Sequence, residues 1–366
     1  MSTEDVTIGV EEEFLVVDGA TGALRPDGPA LLPKARARLG DDVHLELHSS
    51  QLEINTSVES TLACVRRDVT NLRRGLSAVL AEEGYRLAAS GTHPFSTWQE
   101  DPDVNPEYAV VEREYQQLAR EQIICGVHVH VGVEDPELAI RVVNGVRLWL
   151  SPLIALAANS PFWGGRDTGY ASYRTELWRR WPMAGTPAPF ADRADYDALV
   201  DTLCRTGSID DHARIYWDVR PSAKFPTVEF RVADVGLTVD DTMMVAGLVR
   251  ALVITAAAGA GAEPRPVRPE LILAATWRAA RYGLGGELID VEAGEAVPAG
   301  EMIDRFLDRL RPALADLGDW DEVSELVARV RACGTGADRQ RRVLADTGDP
   351  PAVVNFIVEE TTPAAC

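Results

Sequence analysis

The sequence predicts an α+β fold in which an antiparallel β-sheet carries helices on one face and a helical C-terminal region follows. Short segments up to Val232 alternate apolar and polar residues, as is typical of antiparallel strands that are covered on one side only. Longer segments between these strands repeat apolar residues at helical spacing. Beyond about residue 263 only helical patterns occur, which predicts the helical C-terminal region. We expect a single domain over residues 1–366.

The predicted strands differ in length but share the alternation of apolar and polar side chains. In the first of them Glu11 and Glu13 lie on one face, so that Glu12 falls on the other, apolar face and conflicts with the pattern. The predicted strands are Thr7–Val17, Val43–Leu47, Leu52–Ile54, Val127–Val133 and Val228–Val232.

The predicted helices include two that begin at residues common in helix starts, Pro136 in one and Asp240 or Asp241 in the other. A stretch rich in proline and arginine, Glu263–Pro269, separates the last three helices from the sheet region. The tail Arg339–Cys366 is expected to be partly ordered at most. The predicted helices are Thr61–Gly84, Pro106–Gln122, Asp135–Ala158, Asp192–Thr206, Thr238–Gly259, Glu270–Tyr282, Gly300–Leu317 and Asp321–Arg331.

The charge balance argues against some classes of partner. The chain of 366 residues carries 36 lysines and arginines against 57 aspartates and glutamates, which gives a formal net charge of −21. Such an acidic surface repels phosphate backbones and anionic membranes, so we expect neither a nucleic-acid partner nor a membrane partner. If the substrate is ATP, cations must offset the repulsion between two anions.

The cysteine pattern indicates a reducing compartment. Five cysteines are widely spaced and form no C-x-x-C pair, so the sequence predicts neither a disulfide framework nor a zinc site. The first residues lack the basic and apolar regions of a signal peptide, and we expect a cytoplasmic protein. The two most apolar stretches, Val142–Ala158 and Met243–Ala262, contain Arg147 and Arg250 and are predicted to be buried helices rather than membrane spans.

The polar sides of the predicted strands hold an unusual set of side chains, namely glutamates, two histidines and one arginine. One interpretation is a solvated face, which antiparallel sheets commonly have. Such faces usually mix lysine, serine and threonine with acids, however, and like charges on adjacent strands repel each other. The set is therefore better explained as a cation site. Its members are Glu11, Glu13, Glu46, Glu53, His128, His130, Glu229 and Arg231.

The composition of this set favours a hard cation and a phosphate-bearing ligand. Oxygen ligands outnumber nitrogen ligands and no thiolate is present, which favours Mg²⁺ or Mn²⁺ over Zn²⁺. Mg²⁺ usually takes one or two carboxylates together with substrate phosphates, so several glutamates on one face predict more than one metal and a polyphosphate substrate. Arg231 has two interpretations, a structural pair with a glutamate or a contact to a transferring phosphoryl group.

Other chemistry-bearing patterns are weaker or absent. The phosphate motifs G-x-x-x-x-G-K-S/T and G-x-G-x-x-G do not occur, nor does the G-x-S-x-G motif of hydrolases. The segment Trp163–Trp181 is rich in aromatic residues. It predicts either a lid or acceptor pocket beside the site or a hydrophobic packing cluster.

Several motifs follow one another along nearly the whole chain. They are Thr7–Phe14 (TIGVEEEF), Cys125–Val133 (CGVHVHVGV), Ala158–Trp163 (ANSPFW), Val228–Gly236 (VEFRVADVG), Arg278–Gly286 (RAARYGLGG) and Gly334–Arg341 (GTGADRQR). Together these segments resemble the glutamate–cysteine ligase type 2 family, a family of carboxylate–amine ligases. Because several unrelated motifs agree in order, the resemblance is specific.

The resemblance implies a glutamine-synthetase/guanido-kinase-like catalytic fold, in which a curved antiparallel sheet holds ATP and two or three Mg²⁺, with Mn²⁺ as the alternative cation. It implies that Arg231 contacts phosphate or an acyl phosphate and that Arg174 helps to bind phosphate or the carboxylate substrate. It leaves the role of His130 open and implies a homo-oligomer, with a dimer as the expected form. The metal ligands that it implies are Glu11, Glu13, Glu46, Glu53, His128 and Glu229.

The reaction that the resemblance implies is ATP-dependent amide formation through an acyl phosphate, with glutamate and cysteine as the best-known substrates. Two alternatives are a guanidino-type phosphotransferase, which would phosphorylate an amine, and a catalytically silent protein that binds Mg²⁺ and ATP. The full set of acidic and imidazole residues favours an active enzyme over a silent one. The acid, the amine and the number of metals stay open at this stage.

Overall fold

A seven-stranded antiparallel sheet lies at the centre of the part of the chain that this computed structural model describes, residues 6–101, 104–259 and 266–362. The strands are β1 (Ile8–Asp18), β2 (Val43–Leu45), β3 (Gln51–Asn55), β4 (Tyr85–Ala88), β5 (Gly126–Gly132), β6 (Phe162–Trp163), β7 (Arg166–Asp167), β8 (Val219–Pro221), β9 (Thr227–Asp234), β10 (Glu287–Asp290) and β11 (Glu295–Pro298). The main path of the sheet runs β2-β3-β1-β5-β9-β8, and β4 pairs with the C-terminal end of β1. Two separate hairpins are formed by β6 with β7 and by β10 with β11.

The pairing register gathers the polar side chains of the strands on one face of the sheet. Directly opposed residues of neighbouring antiparallel strands have Cβ atoms only about 4.5–5.5 Å apart, so their side chains meet. The opposed polar pairs are Glu11 with Asn55, Glu11 with His128, Glu13 with Glu53, and His130 with Glu229. The predicted alternation therefore assigned all of these residues except Asn55, which it did not include, to the correct common face.

The helices are distributed along the whole chain. They are α1 (Gly28–Leu39), α2 (Leu62–Glu82), α3 (Ala109–Tyr115), α4 (Gln117–Arg120), α5 (Pro136–Val146), α6 (Leu150–Ala157), α7 (Tyr173–Trp178), α8 (Arg193–Arg205), α9 (Val239–Ala258), α10 (Pro269–Tyr282), α11 (Ala299–Leu317), α12 (Trp320–Cys333), α13 (Gly336–Thr347) and α14 (Pro350–Thr361). The largest hydrophobic core combines apolar residues of β1, β5 and β9 with those of α5, α6 and α9–α12. This core lies on the face of the sheet opposite the polar residues.

The central helix of this layer is α9, whose apolar residues cover every side of the helix rather than one stripe. Two apolar segments, Pro136–Ala157 and Val239–Ala258, are long enough to cross a membrane, but 83% and 72% of an apolar window of 18 residues within them is buried inside the protein. They are core helices, as the sequence predicted. Arg250 of α9 is buried as well, and it donates hydrogen bonds to the main-chain oxygens of Val6 and Ser60.

Glu12 breaks the alternation of β1 because its side chain points into the helical layer, where it forms an ion pair with an arginine. Both Glu12 and Arg73 of α2 are fully buried, and their carboxylate and guanidinium groups form a bidentate pair with distances of 2.6 and 2.9 Å. Thr242 of α9 donates a third hydrogen bond to the same carboxylate. A buried glutamate is tolerated at this position because its charge is paired.

The prediction that Arg339–Cys366 is partly ordered at most was wrong. The segment contains most of α13 and all of α14, and the apolar side of α14 packs into the second hydrophobic core. Its buried residues Val353, Val354, Ile357 and Val358 recur at helical spacing, and Pro350 occupies the first helical turn. Residues 363–366 lie outside the described part, as do residues 263–265 of the predicted stretch rich in proline and arginine.

Several further elements differ from the prediction. The strands β4 and β8 and the hairpin β10–β11 were not predicted, because each is only three or four residues long. The predicted helix Pro106–Gln122 is divided into a 3₁₀ turn, α3 and α4, and Gln116 between the two helices has a left-handed φ of 48°. β2 ends at Leu45, so Glu46 lies just beyond the strand.

Candidate active site

The polar face of the sheet forms the floor of a central cavity of about 480 Å³. Its floor carries Glu11, Glu53, His128 and Glu229 from four neighbouring strands. Its walls come from α1, from the turn before α3 and from the connection between β8 and β9. The other residues with polar or charged side chains that line the cavity, on the sheet and on its walls, are Arg36, His44, Glu46, Asn55, Glu107, Tyr108, His130, Arg220, Ser222, Lys224 and Arg231.

One group of candidate metal ligands consists of Glu11, Glu53 and His128, which each offer one ligand atom within 4.8 Å of the others. The His128 ring is almost fully buried, and its Nδ1 lies 3.0 Å from a Glu11 oxygen. Burial alone would raise the pKa of the Glu11 carboxyl. The hydrogen bonds and charges of His128 and His130 outweigh this effect and hold that pKa well below its usual range.

A second group consists of Glu13, Glu46 and Glu53, whose oxygens again lie within 4.8 Å of one another. Burial raises the pKa of Glu13 and of Glu46. It raises the pKa of Glu53 most strongly, because the charges of Glu46, Glu11 and Glu13 add to the effect of burial. Buried carboxylates this close together repel one another, and a divalent cation would relieve that repulsion.

The donor chemistry of the two groups fits Mg²⁺ or Mn²⁺. Glu53 is common to both groups, so the two sets of ligands are adjacent, as they are where two metal ions contact one polyphosphate. Carboxylate oxygens dominate, with a single imidazole, and no cysteine belongs to either group. The main chain also fixes the carboxylate of Glu13, which accepts a hydrogen bond of 2.6 Å from the N–H of Gly126.

Glu229 is placed differently from the other acidic residues of the face. Arg220 Nε lies 2.9 Å from one of its carboxylate oxygens, and Arg231 donates to the other oxygen. Burial would raise the pKa of Glu229, but the charges of Arg231 and Arg220 lower it well below its usual range. Within the described residues Glu229 belongs to neither group of candidate metal ligands.

A smaller chamber of about 180 Å³ opens beside the second carboxylate group and shares Glu46, Tyr108 and Arg231 with the central cavity. Trp178 and Trp181 form part of its wall, and the exposed fraction of each is below one tenth. The aromatic segment that the sequence singled out therefore packs into the protein and lines a chamber at the same time. It contains β7 and α7 and the end of β6 rather than one continuous loop.

Arg174 lies in the wall of this smaller chamber and is only 2% exposed. Its guanidinium lies over the ring of Trp178, 5.8 Å from the ring centre, and donates to the main-chain oxygen of Arg231 at 3.2 Å. Among the described residues no carboxylate pairs with it, and its Nε has no hydrogen-bond partner. The charges of Asp234, Glu13 and Asp218 act on Arg174 from beyond ion-pair distance, which leaves its guanidinium available to an anionic ligand.

Gly126 of β5 leaves the space that the Arg174 guanidinium occupies in the chamber wall. A Cβ atom at this position would lie 2.2 Å from Arg174 Nη2, so any larger residue would push the guanidinium out of the chamber wall. The glycine of the CGVH motif thus has a packing role next to the candidate ligand His128.

A third and larger chamber of about 850 Å³ lies at the opposite end of the central cavity and shares Glu11, Asn55, His130 and Phe225 with it. Its walls are more apolar, and they include the exposed side chains of Val58 and Phe225. His130 belongs to this end of the face, where its Nδ1 lies 2.9 Å from the Thr227 hydroxyl. The three chambers therefore form a row along the polar face of the sheet.

The sequence analysis missed some residues of these chambers. Asn55 was available from the alternation, since it lies two residues after Glu53 on the same face. Arg220 lies on a strand of three residues, which is too short to show a period. Gln51, Gln122 and Lys224 had no pattern that could have identified them.

Solved structures of other proteins share the fold. The glutamate–cysteine ligase of Francisella tularensis, determined in complex with AMP, aligns with a TM-score of 0.74 at 12% identity, over 100% of this chain and 90% of its own. A bifunctional glutathione synthetase of Pasteurella multocida aligns with a TM-score of 0.71 at 15% identity, over 98% of this chain and 52% of its own. These alignments confirm the predicted glutamine-synthetase-like α+β fold.

Sequence comparison identifies the family. Residues 7–357 match the family model of glutamate–cysteine ligase family 2. A protein of Frankia alni, provisionally named glutamate–cysteine ligase 2-2, is 45% identical over 100% of both chains, and one of Rhodopirellula baltica, provisionally named glutamate–cysteine ligase 2, is 41% identical over 100% of this chain and 99% of its own. The family match and the fold together identify an ATP-dependent carboxylate–amine ligase, an enzyme that forms C–N bonds. More particularly, the chain belongs to glutamate–cysteine ligase family 2.

Proposed function

We propose that the protein activates a small carboxylic acid with ATP as an acyl phosphate and transfers the acyl group to an amine, with glutamate and cysteine as the first pair to test. The observation that carries the proposal is the crowding of buried carboxylates around Glu53, between a chamber that suits a nucleoside and one that suits a small acid. A face with this much uncompensated negative charge is suited to cations that accompany a polyphosphate.

In this proposal Glu11, Glu53 and His128 would hold one Mg²⁺ ion, and Glu13, Glu46 and Glu53 would hold another, with Mn²⁺ as the alternative cation. When bound, they offset the repulsion between ATP and the acid and stabilise charge on the transferring phosphoryl group. Apart from Glu46, which follows the end of β2, these ligands lie on strands, and the strand register fixes their arrangement.

The row of chambers suggests an orientation for the substrates. The larger chamber accommodates the nucleoside, because it is the most spacious of the three, is more apolar than the central cavity and has Val58 and Phe225 at its walls. The triphosphate then extends over the central cavity, where Arg231 reaches the junction with the smaller chamber. The acid occupies the smaller chamber, where Arg174 offers the guanidinium that has no carboxylate partner.

The proposed reaction has two steps. An oxygen of the acid's carboxylate attacks the γ-phosphorus, the bond between this phosphorus and the β,γ-bridging oxygen breaks, and ADP leaves. The amine then attacks the acyl carbon, loses a proton, and expels phosphate to give the amide. Arg231 is suited to stabilise the transferring phosphoryl group, since it lies between the chambers that would hold the two reactants. The small aromatic chamber limits the access of water, which would otherwise hydrolyse the acyl phosphate.

We test the proposal by measuring ADP release and product mass with ATP, Mg²⁺, a panel of acids and a panel of amines. The wild-type protein is expected to release ADP only when acid and amine are both present and to form the corresponding amide. Glu53→Gln is expected to abolish turnover, whereas Glu82→Gln, a surface change on α2, leaves it intact. Phosphorylation of an amine without amide formation would instead indicate a guanidino-type phosphotransferase, and ATP binding without turnover would indicate a silent binder.

We also propose a single catalytic domain over residues 1–366, a cytoplasmic location and a homodimer. The shared cores of sheet and C-terminal helices support the single domain. Free thiols at Cys64, Cys125, Cys204 and Cys333 are consistent with a reducing compartment. Light scattering coupled to gel filtration tests the dimer, and a mass that corresponds to one chain would contradict it.

A further inference from the structure

Asp234, the last residue of β9, is a buried carboxylate that joins the two ends of the segment containing the β6–β7 hairpin. Its Oδ2 accepts hydrogen bonds from the main-chain N–H of Asn159 at 2.8 Å and from the Ser160 hydroxyl at 2.7 Å. Its Oδ1 accepts from the Ser172 hydroxyl at 2.7 Å. Asn159 and Ser160 precede the hairpin and Ser172 follows it, so one side chain fixes both ends.

The two serines pass this order on to the first turn of α7. A hydroxyl carries one proton, and Ser160 and Ser172 each donate theirs to Asp234, which in its ionised form only accepts. Their lone pairs therefore face the helix. Ser160 Oγ accepts from the main-chain N–H of Arg174 at 3.0 Å, and Ser172 Oγ caps α7 by accepting from that of Thr175 at 3.3 Å.

The start of α7 determines where the Arg174 guanidinium lies. Arg174 is the second residue of this helix, and its side chain forms part of the wall of a chamber of only about 180 Å³. A displacement of about 1 Å in a group that orients a substrate can lower the rate about a hundredfold. The position of the first turn is therefore important for any ligand that the guanidinium binds.

The charge of Asp234 also favours the burial of the Arg174 guanidinium. Burial raises the pKa of Asp234, and the charge of Arg174 acts against this rise, so the two groups attract each other. Glu13 and Asp218 attract the guanidinium as well, whereas the charge of Arg231 repels it. Asp234 differs from the other two acids because its hydrogen bonds also reach the main chain of α7 through the two serines.

Two sequence motifs without a role so far meet next to Asp234, namely Ala158–Trp163 and Gly334–Arg341. Gln340 Nε2 donates to Asn159 Oδ1 at 2.7 Å. A Cβ atom at Gly336 would lie 2.2 Å from the same oxygen, so only glycine leaves the space that Asn159 occupies. The second motif therefore holds in place the residue whose N–H is bound by Asp234.

We propose that Asp234 is a positioning residue for the acid, which holds the first turn of α7 so that the Arg174 guanidinium points into the smaller chamber. The inference rests on the proposed function for the role of Arg174, whereas its claim about α7 does not depend on turnover. Asp234 acts through Ser160 and Ser172 and touches no substrate itself.

The first test is a double-variant cycle of Asp234→Asn and Arg174→Met in steady-state kinetics of the full-length protein. Asparagine keeps the size of the side chain but turns one acceptor oxygen into a donor, so that one serine must reverse its hydroxyl. Asp234→Asn is expected to raise the KM for the acid about fivefold or more and to leave the KM for ATP within about twofold of wild type. Because Asp234 acts through Arg174, the double variant is expected to have the same KM for the acid as Arg174→Met alone.

A merely structural role, independent of Arg174, would make the two effects on KM multiply. Multiplied effects, or a KM for the acid within about twofold of wild type in Asp234→Asn, would overturn the inference. The matched control is Asp290→Asn. Asp290 is also buried, and it accepts hydrogen bonds from the N–H groups of Glu292 and Ala293 and from Arg305. Its variant is expected to keep the KM for the acid of the wild type.

Hydrogen–deuterium exchange, measured by mass spectrometry without substrates, supplies the second readout. The peptide that contains Arg174 and Thr175 is expected to exchange about tenfold faster or more in Asp234→Asn than in wild type, because the N–H groups of these residues lose their fixed acceptors. The same peptide is expected to exchange at the wild-type rate in Asp290→Asn. Unchanged exchange in Asp234→Asn would overturn the inference.

A second variant keeps the test valid if Asp234→Asn does not fold. Ser160→Ala removes the acceptor of the Arg174 N–H and leaves the carboxylate in place. It is expected to raise the KM for the acid about threefold or more, again without a further rise in combination with Arg174→Met, and multiplied effects contradict the inference in the same way. If the wild-type protein forms no amide with any substrate pair, the exchange rates still decide whether Asp234 holds α7, and only the proposed function fails.

Discussion

Replacement of Glu53 by glutamine is expected to stabilise the metal-free protein while it removes the activity. In the absence of divalent cations, Glu53 faces Glu13 and Glu46, with carboxylate oxygens within 4.8 Å of one another. Two unit charges at this distance repel by about 3.5 kcal/mol at an effective dielectric constant of about 20. The charge of Glu53 cannot destabilise the folded protein by more than the free energy of protonating that carboxylate. For an ordinary glutamate at pH 7 this free energy is about 3.7 kcal/mol. We therefore expect Glu53→Gln to raise the free energy of unfolding by about 2–4 kcal/mol in EDTA.

The assay is urea unfolding at pH 7 in EDTA, followed by circular dichroism and repeated with Mg²⁺. The control is Glu82→Gln, whose exposed ion pair with Arg38 contributes no more than about 1 kcal/mol. Mg²⁺ is expected to stabilise the wild type and the control but not Glu53→Gln. If Glu53→Gln is less stable than wild type in EDTA, the carboxylate makes favourable contacts in the protein and the cation-site reasoning is refuted.

The same variant has a predictable pH dependence. Burial and the charges of Glu46, Glu11 and Glu13 raise the pKa of Glu53 in the folded protein. A raised folded pKa means that the wild type loses stability as pH rises from the unfolded value of about 4.3 through the folded pKa. The advantage of Glu53→Gln in EDTA is therefore expected to grow between pH 5 and pH 7. An advantage that shrinks over this range would contradict the direction of the shift.

Further predictions concern the core and the two outer chambers. Glu12→Gln is expected to lower the free energy of unfolding by about 3 kcal/mol, since it leaves the buried Arg73 without an anion. If urea titration shows a decrease in this free energy no larger than that of Glu82→Gln, the prediction is wrong. Arg174→Met is expected to raise the KM for the acid about tenfold or more and to leave the KM for ATP unchanged, because the acid loses its guanidinium partner. Steady-state kinetics in which only the KM for ATP changes would contradict the placement of the acid. Periodate-oxidised ATP, which reacts with amines, is expected to label Lys224 at the central cavity rather than Lys34, the other lysine of the sequence. Peptide mapping that finds equal labelling, unaffected by ATP, would contradict the placement of the nucleotide.

The strand register explains why so much of the site could be predicted from the sequence. Side chains on a strand alternate strictly, so Glu11, Glu13, Glu53 and His128 had to share a face once their strands paired in one sheet. The sequence could not show that Glu229, on the same face, would be enclosed by Arg220 and Arg231. Its neighbours across the sheet depend on β8, whose three residues carry no detectable period.

Two errors came from tertiary contacts that local patterns do not encode. Glu12 breaks the alternation of β1, and only the arrival of Arg73 from α2 makes its burial acceptable. The C-terminal segment was expected to be partly ordered at most, yet the apolar stripe of α14 completes a core whose other members come from β1 to β4, from α1 and α2 and from several later segments. The chambers could not be predicted either, because residues far apart in the sequence line them together. Trp178 and Tyr216, for example, both line the smaller chamber.

The measurement that tests the central claim most directly is isotope transfer from the acid to phosphate. The acid is labelled with ¹⁸O in its reacting carboxylate, and the wild-type protein is supplied with ATP, Mg²⁺ and the amine of the pair that turns over. Formation of an acyl phosphate predicts that one ¹⁸O atom appears in inorganic phosphate for each amide formed, as mass spectrometry would detect. Amide that forms while the released phosphate contains no ¹⁸O would contradict the proposed mechanism.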